Sequence, residues 1–128
     1  MRRYEEARDD LRDGKLVYRH LDACQLLKHA FGLRSQIQRE TPSERTPVLF
    51  YLYAEPSRWS DGRSLQQADF EQHRDEIQDF SARIAGDEVA FLSCDYHALL
   101  DTWRLAGGDL AEHADRVLAR FAPAPLDA

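Results

Sequence analysis

VLFYLYA, residues 48–54, is a run of apolar and aromatic side chains with no polar residue between them. A half-buried strand alternates apolar and polar positions, whereas a strand covered on both faces does not need to. The run is therefore read as a strand buried on both faces, as in a parallel sheet. A second apolar stretch, EVAFLSC, occupies residues 88–94. Between the two lies a helical pattern. Ser64 and Gln67 have the spacing of a capping box, and Phe70, Ile77, Phe80 and Ile84 form one apolar stripe running to about Ala85. Strand, long helix, strand is a right-handed crossover between parallel strands.

The flanks add helices. Residues 2–12 read as a short, highly charged helix stopped at Gly14, and a second helix is expected from about Leu16 to Phe31. Gly32 stands where a left-handed cap would end it, with Leu33 folding back onto Leu27. SQIQRETPSERTP follows as a polar loop, and Pro56 with Asp61 and Gly62 marks a turn after the first strand. Downstream, Tyr96, Leu99, Leu100 and Trp103 share one face of a helix ending at Gly107 and Gly108. Asp109 and Glu112 then cap a last helix carrying Leu110, Ala114, Val117, Leu118 and Phe121. The expected fold is a three-layer α/β arrangement, with a small parallel sheet (strands about 48–54 and 88–94) and about five helices. It forms one domain over residues 1–121, with 122–128 as a frayed tail.

Bulk properties bound the function. A chain of 128 residues with 43% hydrophobic and 31% charged residues is of globular composition and can bury a core without metals or disulfides. No apolar run reaches the roughly 20 residues of a membrane span. MRRYEEARDD has no apolar segment behind its arginines, so it does not read as a secretory signal. Cys24 and Cys94 sit in apolar patterns without zinc-type spacing and read as reduced core residues of a cytoplasmic protein. The net charge of −6 argues against a general polyanion binder. Residues 1–45 nevertheless hold ten Arg/Lys against eight Asp/Glu, while the remainder holds seven against fifteen. Any phosphate-facing surface belongs in the first third.

On a helical wheel Tyr18, Asp22, Gln25 and His29 fall within about 60° of one another, bordered by Lys28 and Leu21. Apolar residues fill most of the remaining circumference. So narrow a polar stripe on an apolar helix faces either solvent or a cleft, and the pattern alone leaves both open.

The order YRHLDACQLLKHAFGL, VLFYLYAEP, HRDEIQDF, SCDYHALLDTW resembles the C-terminal half of a PD-(D/E)XK family of restriction endonuclease-like proteins, over roughly residues 16–104. The resemblance implies a sheet whose acidic pair and lysine hold a divalent metal, followed by a helix that adds a glutamine or a basic residue beside the site. Gln25 matches that role, and Lys28 with His29 would contact phosphate. The acidic strands should precede this helix, and nothing strand-like precedes Leu16. Asp13-Gly14-Lys15 matches a D-x-K string, but its Gly reads as a helix breaker. The expectation is a nuclease-like domain lacking its N-terminal catalytic strands, truncated or degenerate, and inactive in DNA cleavage by itself. No metal ligand is assigned and no cofactor is expected in this chain; Mg²⁺ would enter only with those strands.

Other candidates carry two readings each. Glu55 ends the first strand, where open α/β sheets place ligands. His73 lies in the Phe70–Ile84 stripe and reads as a buried neutral histidine or as a residue behind a site. Tyr96 and Trp103 read as core, and His97 and His113 as solvent-facing. Substrate contacts are thus assigned to Tyr18, Asp22, His29, Glu55 and His73, and catalytic roles to Gln25 and Lys28. DNA would meet the N-terminal third. The alternative is a non-enzymatic interaction or dimerisation module, because two strands leave sheet edges that a second copy would cover.

Overall fold

The computed structural model describes residues 1–40, 45–55, 63 and 66–121, the Phe121 side chain excepted. Ser64 of the expected capping box, the Pro56 and Asp61-Gly62 turn, and the 122–128 tail lie outside these residues, as do residues 41–44 of the SQIQRETPSERTP stretch. The chain is α/β, with five helices and a two-stranded parallel sheet among the described residues. In order these are α1 (Arg2–Arg12), α2 (Ala23–Arg39), β1 (Val48–Tyr53), α3 (Gln67–Ile84), β2 (Ala90–Asp95), α4 (Tyr96–Ala106) and α5 (Gly108–Phe121). No helix among the described residues is long and apolar enough to cross a membrane. The chain divides into two compact units, one of residues 1–51 and 67–93, the other of 52–66 and 94–128.

The first unit is organised around Phe80. It is fully buried on α3, and its ring meets Tyr4, Tyr18 and Phe91 edge-on at centroid distances of 6.4, 6.4 and 5.2 Å. Tyr51 of β1 stacks on Phe91 of β2, so both point to the α3 side of the sheet. Side chains alternate along a strand. Val48 and Phe50 of β1 and Leu92 of β2 therefore face the other way. They are 43%, 48% and 55% exposed. This corrects the expectation of a strand buried on both faces: one face is packed and the other is open.

Helix α1 contributes more than charge. Tyr4 and Ala7 are buried, and the Tyr4 hydroxyl donates to the Val89 carbonyl at 2.7 Å. Met1 offers no side-chain cap to α1. Asp87, in the turn before β2, supplies one: its carboxylate accepts the Arg3 and Tyr4 amides at 2.9 and 3.1 Å. The Met1 ammonium lies 3.0 Å from Asp87 and 2.7 Å from Glu88, which also holds Arg34 at 2.8 Å. Gly86 takes φ +82° to bring this turn round, a conformation that L side chains rarely adopt.

Helix α2 begins seven residues later than its periodicity predicts. Residues 13–22 are turns, bends and irregular chain, and Asp22 is the helix cap, accepting the Gln25 amide at 3.1 Å. The cause lies in α3. Glu76, 8% exposed, accepts the amides of Arg19, His20 and Leu21 at 2.6, 2.7 and 3.3 Å. Those amides are thereby taken out of any helical ladder. At its other end α2 runs past Gly32 to Arg39, so Gly32 is an interior residue and not a cap.

The second unit holds a helical hairpin. Asp95 caps α4 by accepting the His97 amide at 2.7 Å, and Leu100 and Ala114 are buried. Gly107 and Gly108, at φ +72° and +60°, make the bend. α5 starts at Gly108, so Asp109 sits inside the first turn and is not its cap. Trp103 and Tyr96, expected in the core, are half-buried. The Trp103 ring lies 5.8 Å from that of His113, and Arg104 pairs with Asp115 at 3.0 Å. His97 and His113 are exposed, as expected.

Candidate functional site

The expected stripe Tyr18, Asp22, Gln25, His29 does not form on one helix, because Tyr18 precedes α2. Its hydroxyl donates to Asp79 at 2.6 Å, and Asp79 also holds Arg83 at 2.8 Å. Asp22 is spent as the cap of α2. Gln25 is exposed, with only its backbone amide engaged. Lys28 and His29 are exposed on the next turn. His73, read as buried, is half-buried, and its Nε2 lies 2.9 Å from the Tyr51 hydroxyl on the packed side of the sheet. Glu55 is half-buried just after β1 and belongs to the second unit.

Two depressions of the first unit gather some of these residues. One, about 510 Å³, opens between α1 and α2. Leu11, Leu16, Val17, Leu27 and Phe31 give it apolar walls, and Tyr18, Cys24, Arg8, Arg12 and Lys28 complete the lining. The other, about 590 Å³, lies between α2 and β1 and is lined by Lys28, His29, Gly32, Leu33, Gln36, Leu49 and Phe50. Lys28 borders both. Neither depression contains Gln25 or Asp22.

The carboxylates near α2 are already engaged. Asp22 holds a helix amide, Glu76 three backbone amides, and Asp79 a phenol and a guanidinium. Asp13 follows the last turn of α1, 3.6 Å from Arg12, and Gly14 takes φ +73°, so the D-x-K string is a helix terminus. Among the described residues no group of three or more His, Cys, Asp or Glu side chains is placed to hold a metal ion.

Titration in the first unit follows the same contacts. The hydrogen bond from Tyr18, then that from Arg83, holds Asp79 below its ordinary value of 3.8. Burial pushes Asp87 up, but the Glu88 amide, the Met1 ammonium and the Tyr4 amide outweigh it, and the net shift is downward. Glu88 is lowered by the Met1 ammonium and by Arg34. Burial, then Asp79, raises the Tyr18 phenol. A carboxylate with a depressed folded value adds stability above its unfolded value, and loses it as pH falls through the folded value. Urea midpoints should therefore hold steady from neutrality down to the ordinary carboxylate range and then drop. Asp79→Asn should shallow that drop, and an unchanged acid limb would show that the Tyr18–Asp79–Arg83 contacts add nothing to folding.

Cys24 was read as core but is exposed on the rim of the α1–α2 depression, and Cys94 is half-buried; both are free. The parts that sequence reading missed are Arg8, Leu11 and Arg12 of α1. Arg8 and Arg12 are one turn apart, and that spacing alone reads only as a solvated face. Their partner surface comes from the non-helical segment 16–18, which leads into the residues 19–21 held by Glu76. Compared with protein-family models, with curated proteins and with solved structures, the chain gives no match.

Proposed function

We propose that this chain is a non-enzymatic interaction module that pairs with a second copy of itself through the open face of its sheet. The observation that carries the reading is the row of Val48, Phe50 and Leu92, each more than two-fifths exposed at strand positions where neither strand places a charged residue. Apolar surface gathered on one face marks association sites more often than scattered apolar residues do. Among the described residues the sheet has two strands and so two edges, and a sheet edge is a surface on which a further strand can pair. A second copy suits such a face. In a two-fold interface the same patch serves both copies, so a patch of one charge sign would repel itself while an uncharged apolar patch does not.

Sedimentation at micromolar concentration tests this. The expected result is a particle of twice 14.8 kDa that Phe50→Asp converts to monomer. Phe50 is half exposed, so the substitution should leave the fold intact. A wild-type monomer, or a dimer indifferent to Phe50→Asp, overturns the reading.

The second reading is a PD-(D/E)XK-like, three-layer domain without cleavage activity of its own. It is favoured by the parallel β1–α3–β2 crossover following a helix that presents Gln25, Lys28 and His29 to solvent. Duplex DNA bound by a monomeric wild-type protein in the same sedimentation experiment would favour it over the first.

A further inference from the structure

We infer that the depression between α1 and α2 is a binding site for a single-chain amphipathic monoanion, an aliphatic carboxylate of medium length. The site lies between α1 and α2 and shares only Lys28 with the depression that Phe50 lines, and the inference does not depend on dimerisation. Its volume of about 510 Å³ falls within the range of small-molecule sites. Two chemical features of the lining choose the ligand.

The first is the wall. Leu11, Leu16, Val17, Leu27 and Phe31 come from α1, the non-helical segment and α2, and together they offer an apolar surface to an aliphatic body. Val17 is 79% exposed, a high value for an aliphatic side chain, and a bound chain would cover it. The one hydroxyl in the lining, that of Tyr18, already donates to Asp79. Its O–H is thereby engaged and its oxygen can only accept, so the lining offers no hydroxyl donor to a polar substituent along the chain, and an unsubstituted tail fits best.

The second is charge. Every charged side chain in the lining is a cation: Arg8, Arg12 and Lys28. Arg8 pairs with Asp9 at 3.0 Å and lies 5.8 Å from the centre of the Phe31 ring. Arg12 pairs with Asp9 at 3.2 Å and Asp13 at 3.6 Å. Lys28 makes no ion pair among the described residues, and its ammonium is the group left to meet an anion. One uncommitted cation matches one negative charge, which points to a carboxylate over a phosphate dianion. Its aliphatic stem can lie along the apolar wall while the ammonium stays at the rim.

Decanoate, with decanol as its neutral counterpart, provides the test. Calorimetry should show one saturable decanoate site per chain. Lys28→Met keeps the stem and removes the charge. It should weaken decanoate about tenfold, as expected for losing a charge-assisted contact, and leave decanol unchanged. Cys24 supplies an independent readout because it is exposed in the lining. Bound decanoate should slow its alkylation and leave Cys94 at its own rate. Absence of saturation, equal affinity for decanoate and decanol, indifference to Lys28→Met, or an unprotected Cys24 would each overturn the assignment.

Discussion

Phe80→Ala should cost about 3–5 kcal/mol of folding free energy, the range for truncating a fully buried aromatic. Phe80 is 0% exposed, and its ring is the shared neighbour of Tyr4, Tyr18 and Phe91. Each of those rings belongs to a different piece of chain: α1, the non-helical segment and β2. The cavity left behind would therefore touch three interfaces at once and could not be filled by adjusting one of them. Phe80→Leu keeps much of the volume and should cost clearly less. Urea denaturation of the two variants checks both figures, and equal losses would show that the edge-on ring contacts carry no weight of their own.

Glu76→Ala should cost about 3 kcal/mol, by a different route. Three backbone amides lose one carboxylate, and that of Leu21 is buried. Water can reach part of this site, which keeps the cost below three full charge-assisted bonds. Glu76→Gln retains one acceptor oxygen but turns an NH₂ group toward amide donors, so it should recover no more than about half of the loss. Hydrogen exchange offers a local check: the amides of residues 19–21 should lose protection in Glu76→Ala before those of α3 do. If they exchange as in the wild type, the carboxylate is not what holds that segment.

The same carboxylate explains where the sequence could be read and where it could not. Both strands, α3 and the α4–α5 hairpin follow from local patterns: apolar runs, an apolar stripe and paired glycines. The start of α2 does not. Leu16, Val17 and Leu21 have helical spacing and nothing nearby to contradict it, because the group that pulls residues 19–21 out of a helix lies 55 to 57 residues away. The stripe of Tyr18 with Asp22, Gln25 and His29 rested on that helix and separated with it. The packing of VLFYLY was misjudged for another reason. Composition tells that a strand is apolar, but whether its second face is covered depends on what else packs there, and here Val48 and Phe50 remain open. The α1–α2 depression was illegible because its walls meet only where the 16–18 segment is not helical.

Helix α1 owes its first capped turn to Asp87, a residue 84 positions along the chain from Arg3. An isolated eleven-residue helix is too short to persist in water. The acceptor for its leading amides exists only once the turn between α3 and β2 has been made, and closing so long a loop is slow. The first turn of α1 and the turn between α3 and β2 therefore stand or fall together: loosening either should cost the other its hydrogen-exchange protection.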